Sequence, residues 1–223
     1  MTITTDTPVG SIASEAPLST RVFARHGIDY CCGGGRPLGE VCAEKGLEPD
    51  SIVSEIESEL QSGTEPSTRW DTAPLDQLID HILKVYHEPL WEELDRLEAM
   101  AVKVHQVHGE KQPEMLTGIV DVFTALKFEL DQHMRKEEDI LFPMIKGGQG
   151  EMAGPPVQVM KHEHETAGEA LRRLRLLTDN YNVPEGACNT WRALWHGLAA
   201  LEKDLHEHIH LENNILFPRA LSG

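Results

Sequence analysis

The chain has 223 residues, which is enough for one medium domain or for one domain with a small appendage. Its formal net charge is −17, and 40% of its residues are hydrophobic. Nucleic acids and anionic membranes attract basic surfaces, so this charge argues against both as partners. The sequence has no apolar run of about 20 residues that could cross a bilayer, and its start does not resemble a secretory signal. We therefore expect a cytoplasmic protein.

The first part of the chain, residues 1–66, differs in pattern from the rest. It contains three short helical patterns, at about 18–26, 37–46 and 49–61. Between the first two lies a loop, Asp29-Tyr-Cys-Cys-Gly-Gly-Gly35, whose glycines indicate unusual backbone angles or a close backbone approach. The polar stretch 61–68 is typical of a linker. These features predict a small helical domain over residues 1–66.

The remainder, residues 70–223, shows four long helical patterns and no convincing strand pattern. The predicted helices run over about 74–106, 113–145, 156–179 and 186–216. Each break between them is short and contains glycine or proline. Four helices with short connections favour an antiparallel bundle. We therefore predict an all-α fold, a four-helix bundle preceded by the small helical domain.

A repeated motif falls within the second and fourth predicted helices. His133-x-x-x-Glu137-x-x-x-Leu141-Phe-Pro recurs 75 residues later as His208-x-x-x-Glu212-x-x-x-Leu216-Phe-Pro. Residues four apart share one face of a helix. In the second helix, steps of four and three join both polar residues to an apolar stripe of Ile119, Phe123, Leu126, Leu130, His133, Glu137, Ile140 and Met144. The fourth helix has the matching stripe, so both His/Glu pairs are predicted to face the core.

The first and third helices each interrupt their apolar stripe with one histidine, at His87 and His164. A buried carboxylate without a partner costs several kcal/mol, so this polar set in the core indicates a metal site. Six ligands are too many for one zinc ion, and Ca²⁺ and Mg²⁺ prefer oxygen ligands, whereas imidazole with carboxylate suits iron or manganese. The predicted ligands of two oxo- or hydroxo-bridged iron ions, with both glutamates bridging, are His87, His133, Glu137, His164, His208 and Glu212.

Other histidines and acidic residues permit further interpretations. The stretch His206-Glu-His-Ile-His210 matches a zinc-protease motif, but its outer histidines lie on a face that we expect to be solvated. We also expect surface positions for His105, His108, His162, His196 and His206. Two carboxylates close to the predicted ligands, Glu129 and Glu163, suit either proton transfer or plain solvation.

Four cysteines are few for a disulfide framework, and we expect reduced thiols. Cys42 and Cys188 have no partner in the sequence, and we interpret them as structural. Cys31 and Cys32 are adjacent, and two interpretations stay open: small residues buried in a tight turn, or a reactive or metal-binding thiol pair. The residues with candidate catalytic roles are Cys31, Cys32, Glu129 and Glu163.

The predicted ligand set, with its two Leu-Phe-Pro signatures, resembles the hemerythrin-like bundle. Asp29-Tyr-Cys-Cys-Gly-Gly ahead of it is similar to the N-terminal domain of the repair-of-iron-centres family, and the resemblance covers nearly the whole chain. It implies a non-haem di-iron protein that repairs iron–sulfur clusters damaged by nitrosative and oxidative stress. Oxygen-carrying hemerythrins have a fifth histidine, and here that position is Gly168. One iron would thus be more open, which favours ligand turnover or iron release.

The family resemblance leaves the chemistry open between iron donation and nitric oxide reduction, so an enzymatic activity is undecided. Its implied partners are nitric oxide or oxygen and damaged iron–sulfur proteins. The sequence does not show the oligomeric state, and a homodimer is among the states left open. The alternatives are a nitric oxide or oxygen sensor or carrier without turnover, and an iron store or a bundle that only scaffolds the N-terminal domain.

Overall fold

A computed structural model describes residues 3–62 and 68–223. Within these ranges the chain is helical, which confirms the predicted all-α class, and its β-type pairing is an isolated bridge between Pro8 and Pro37. In chain order the elements are α1 (Val9–Glu15), α2 (Ser19–Arg25), α3 (Leu38–Lys45), α4 (Pro49–Ser62), α5 (Leu75–Ile82), π1 (Leu83–His87), α6 (Glu88–His108), α7 (Pro113–Lys136), π2 (Glu137–Leu141), α8 (Phe142–Lys146), a 3-10 turn (Gly150–Met152), α9 (Gly154–Leu177), α10 (Asn189–His210), π3 (Leu211–Leu216) and α11 (Phe217–Ser222). The three π segments are stretches of π-helix.

The chain divides into two compact units. Unit 1 comprises residues 1–79 and 206–223, and unit 2 comprises residues 80–205. The boundaries predicted from the sequence, 1–66 and 70–223, stay a prediction. Positions 63–67 of the predicted linker lie outside the described residues. The two units are described separately below.

Unit 2 is the helical bundle. Helices α6, α7 and α9 and the part of α10 before residue 206 enclose one apolar core, with Leu97, Phe123 and Trp195 fully buried. Their apolar residues recur every three to four positions, so each helix turns one stripe inward. Helix α7 and helix α9 begin with proline in their first turn, where the missing N–H leaves no hydrogen bond unmade. The four-helix bundle predicted from the sequence is confirmed.

Each π segment runs directly into a helix that has proline in its first turn: Pro89, Pro143 and Pro218. Proline cannot donate to the carbonyl four residues earlier, and its ring clashes with that carbonyl. In all three cases this carbonyl lies inside the π segment. A wider turn moves the carbonyl away from the ring, so the proline accounts for the π geometry while the helix continues.

The π2 segment overturns one expectation about the apolar stripe. Ile140 was predicted to face the core, but it is 53% exposed. Leu141 and Ile145 are buried in its place. Counting by steps of four and three assumes an unbroken α-helix, whereas π2 contains a wider turn after Glu137. The buried face therefore moves by one residue beyond that point.

Unit 1 contains the four N-terminal helices, which share a separate apolar core that includes Val9, Ile12, Phe23 and Leu38. Helix α1 was not predicted from the sequence. In the same unit α1 packs against π3. Gly10 permits this approach, because a Cβ there would lie 2.5 Å from Oδ1 of Asn214.

No helix among the described residues is both long enough and apolar enough to span a membrane.

Two phenylalanines on α7 test the packing of the bundle. Phe123 is fully buried, and Phe128 is 67% exposed. We expect Phe123→Ala to lower the free energy of unfolding by about 3–5 kcal/mol, through lost burial and the remaining cavity. Phe128→Ala should change it by less than about 0.5 kcal/mol. Denaturant titration followed by circular dichroism measures both, and equal effects would contradict the assigned faces.

Candidate metal centre

In unit 2, three imidazoles cluster at one buried carboxylate. Nε2 of His87 lies 3.5 Å from Oε2 of Glu137, and Nε2 of His133 lies 3.3 Å from the same oxygen. Nε2 of His164 lies 3.0 Å from Nε2 of His133. All four side chains are at most 4% exposed. The ring nitrogens of three different helical segments therefore converge on one small volume.

The opposite nitrogens of two rings contact other carboxylates. Nδ1 of His87 lies 2.8 Å from Oε1 of Glu138, and Nδ1 of His133 lies 3.0 Å from Oε2 of Glu163. A carboxylate accepts from an N–H, so each contact favours the tautomer with its proton on Nδ1. Nε2 then keeps its lone pair. This is how outer carboxylates orient histidines that bind a metal.

Glu163 is held as an anion. Its carboxylate accepts from His133 and also forms an ion pair with Lys136. The hydrogen bond from His133 lowers the pKa of Glu163 most, burial opposes it, and Lys136 lowers it further, to about 2. A permanent negative charge at this position keeps the proton of His133 on Nδ1.

The carboxylate of Glu137 is the strongest indication of a cation site. Its side chain is completely buried, and neither oxygen has a hydrogen-bond partner among the described residues. A buried anion without donors costs several kcal/mol, and a cation at this position would compensate that cost. Imidazole nitrogens surround it, with the lone pairs that a transition metal needs. These residues fit a metal ion.

In unit 1, the second copy of the motif forms a pair of its own. Nε2 of His208 lies 3.0 Å from Oε1 of Glu212, and both side chains are buried. They stand one turn apart, His208 on α10 and Glu212 on π3. The two copies of the motif thus present the same local arrangement.

Residues 78–220 match the family model described as "Hemerythrin HHE cation binding domain". The chain belongs to the hemerythrin HHE family. The matched range contains every ligand predicted from the sequence, so these His and Glu residues lie within a cation-binding domain. Residues 5–60 match a second model, described as a domain of unknown function, DUF542.

Curated relatives cover nearly the whole hemerythrin-like chain. A protein of Yersinia pseudotuberculosis serotype IB (strain PB1/+) is 45% identical over 215 residues, which is 96% of each chain. Proteins of Citrobacter koseri and of Escherichia coli O81 are 43% and 44% identical over 218 residues, 98% of each chain. All three are named "Iron-sulfur cluster repair protein YtfE". The predicted membership of the iron-centre repair family is confirmed.

The other candidates lie in different surroundings. Glu163 contacts a predicted ligand, whereas the side chain of Glu129 is exposed. His162 and His196 are exposed, as expected. His206 is half-buried, and its ring lies edge-on to that of Tyr30.

The face of α10 that carries His210 was expected to be solvated, and that expectation is wrong. His210 is 5% exposed, packs against the ring of Tyr30, and accepts a hydrogen bond at Nδ1 from Nδ2 of Asn214 at 3.0 Å. Burial lowers the pKa of His210 to about 4, so its ring is neutral near pH 7. The N-terminal part of unit 1 covers this face, which periodicity within one helix could not reveal.

The Cys31-Cys32 loop is an ordered turn built on Asp29. Oδ1 of Asp29 accepts the backbone N–H groups of Cys31 at 3.1 Å and Cys32 at 3.0 Å, and the Cys31 thiol at 3.3 Å. Burial alone would raise the pKa of Asp29, but these bonds and the backbone N–H of Gly33 hold it below its usual value. The thiol of Cys31 is itself buried. Its contact with Cys32, its burial and the charge of Asp29 raise its pKa well above the usual range.

Reasoning from the sequence missed three residues that hold the predicted functional groups in place: Glu138, Asn213 and Asn214. The first is Glu138. It stands directly after the predicted ligand Glu137, and nothing in the sequence distinguishes it as a residue that contacts His87. Nδ2 of Asn214 donates to the carbonyl of Tyr30 at 2.9 Å, and Nδ2 of Asn213 donates to that of Cys31 at 3.3 Å. The adjacent asparagines were the available signal, because side-chain amides bind backbone groups.

Glu163 makes a prediction for the metal-free protein. Its folded pKa is about 2 against an ordinary value of 4.5, so its stabilisation is complete above about pH 4.5 and is lost as pH falls towards 2. We expect Glu163→Gln to lower the free energy of unfolding at pH 7 by on the order of 1 kcal/mol, since solvent screens a half-buried pair. The difference from wild type should shrink between pH 4.5 and pH 3. The exposed Glu165→Gln is the matched control in denaturant titrations, and a constant difference would contradict the assignment.

Proposed function

We propose that the hemerythrin-like domain, residues 78–220, holds two non-haem iron ions. Their ligands would be the six residues predicted from the sequence: His87, His133, Glu137, His164, His208 and Glu212. The two glutamates would bridge the ions, and each histidine would bind one of them. The repeated motif supports this set, as does its position inside a cation-binding family domain.

The observation that carries the proposal is the buried carboxylate of Glu137. Imidazoles alone could be satisfied as neutral hydrogen-bonded rings, but a carboxylate with neither oxygen bonded could not. The orientation of His87 and His133 by Glu138 and Glu163 agrees with it, because a purely structural histidine pair would need no such alignment. Imidazole and carboxylate together suit iron or manganese, and the relatives' name, which refers to iron–sulfur clusters, favours iron.

We infer that the protein takes part in the repair of damaged iron–sulfur clusters in the cytoplasm, under nitrosative and oxidative stress. Its relatives at 43–45% identity are named iron–sulfur cluster repair proteins, and the similarity covers nearly their full length. The iron ions would supply either iron for cluster rebuilding or the electrons and binding position for reducing nitric oxide. Damaged iron–sulfur proteins would be the partners, and a homodimer remains a proposal.

The chain's own residues would perform three tasks. Each ligand side chain is buried and so shielded from bulk water, while Glu138 and Glu163 hold protons at the Nδ1 atoms of His87 and His133. Gly168 is buried one turn after His164, where it offers no side chain to a metal. The site would therefore keep an open position, which suits release or turnover better than storage.

The iron stoichiometry tests the ligand set. We expect two iron ions per wild-type chain made with ample iron, and at most one in His164→Ala, because that variant lacks a terminal nitrogen. His162→Ala is the matched control: it removes an 81% exposed imidazole from the same helix and should keep two ions. Elemental analysis with Mössbauer spectroscopy measures this. Wild-type protein without iron, or equal loss in both variants, would overturn the proposal.

A second experiment separates the possible chemistries. Reduced, iron-loaded protein is mixed with nitric oxide and an excess of an external reductant, and both nitrous oxide and released iron are counted. Nitrous oxide over many turnovers indicates a reductase, and iron transfer to an iron-free cluster protein indicates a donor. Reversible binding with neither product would instead favour the sensor or carrier.

A further inference from the structure

We propose that Asp29, Cys31 and Cys32 form a separate binding site in unit 1 for a borderline divalent cation, of the class of Zn²⁺ or Fe²⁺. The site would use two thiolate sulfurs and one carboxylate oxygen. It shares no residue with the proposed ligands of the bundle. Each of the three side chains offers one ligand atom, and these three atoms all lie within 4.8 Å of one another.

The distances between the ligand atoms match the edges of a tetrahedral site. Two thiolates bound to one metal at about 2.3 Å stand about 3.8 Å apart when the angle is tetrahedral. The Sγ atoms of Cys31 and Cys32 are 3.8 Å apart. A thiolate and a carboxylate oxygen on the same ion should be about 3.5 Å apart, and Sγ of Cys31 lies 3.3 Å from Oδ1 of Asp29. The site needs little movement to accept an ion.

The loop is held in this arrangement from outside. The side-chain amide of Asn214 donates to the carbonyl of Tyr30, and that of Asn213 donates to the carbonyl of Cys31. These two carbonyls lie immediately before and after the Cα atom of Cys31. Gly34 allows the approach, because a Cβ at that position would lie 2.5 Å from Oδ1 of Asn214. A preorganised loop loses little entropy when it binds an ion.

The chemistry of the three groups selects the cation. Thiolates are soft ligands and disfavour Ca²⁺ and Mg²⁺, while one carboxylate suits borderline ions. Binding would release one proton from each thiol and leave the site with a net charge of −1. Cys31 is buried, whereas Cys32 and Asp29 are half-buried, so an ion can enter from the side of Cys32. Three protein ligands leave a fourth position open to water or to an incoming ligand.

Cobalt provides a probe that distinguishes this site from the bundle. The full chain is reduced, freed of metal and titrated anaerobically with Co²⁺ alone. Thiolate-to-cobalt charge transfer absorbs in the near ultraviolet, and the imidazoles and carboxylates of the bundle cannot produce that band. We expect one thiolate-bound Co²⁺ per monomeric chain. Absence of the band, or one ion shared between two chains, would overturn the proposal.

Variants assign the band to its ligands. Cys31→Ser combined with Cys32→Ser should abolish it, whereas Cys188→Ser, which removes an exposed thiol elsewhere, should leave it unchanged. Asp29→Asn keeps an oxygen for the backbone N–H groups but removes the charge, and should weaken Co²⁺ binding by at least about tenfold. An unchanged affinity would exclude Asp29 as a ligand and so contradict the three-ligand site.

Glu137→Gln separates the two proposals. It should remove iron from the bundle and leave the thiolate band at its full intensity. If the wild-type protein shows the thiolate band but binds no iron, the proposed iron site is refuted and the thiolate site is not. A band that disappears in Glu137→Gln would refute an independent thiolate site.

Discussion

The arrangement of the bundle depends on a carboxylate placed where water cannot reach it. Glu137 is completely buried in the core, and its charge has no hydrogen-bond donor among the described residues. Such a group is tolerated only where a cation compensates it, or where it takes up a proton. The surrounding helices supply imidazole nitrogens close to this carboxylate, which suit the first of these arrangements. The apolar core of unit 2 must be stable enough to hold these polar groups together.

The neighbours of Glu137 in the sequence contribute to the same arrangement. Lys136 pairs with Glu163, which orients His133, and Glu138 orients His87. Lys136 and Glu138, on either side of Glu137, therefore act on different groups, because successive side chains point in different directions around a helix. The ligand and its supports come from one short segment. A substitution in this segment should affect metal binding even where it spares the ligands.

Much of this could be predicted from the sequence. The helices, the bundle and the buried state of all six polar residues follow from apolar periodicity, which is strong in long helices. The burial of Leu141 instead of Ile140 did not follow, because periodicity carries no information on a change of pitch. The prolines were visible, and their effect on the preceding carbonyls could have indicated it. The burial of His210 depends on contacts with a part of the chain that is remote in sequence, which no local pattern records.

The π2 segment divides the helix that carries Glu137 into two parts, and the buried face of the second part is rotated relative to that of the first. Each part is called a phase below. The first phase places His133 and Glu137 in the interior, and the second places Leu141 and Ile145 there. Between the phases the chain holds one residue more than a continuous α-helix would need. Removing one residue from this segment would restore one continuous α-helical phase, but the ring of Pro143 would then clash with the carbonyl four residues before it. The proline and the wider turn are therefore coupled, and a change in one requires a change in the other.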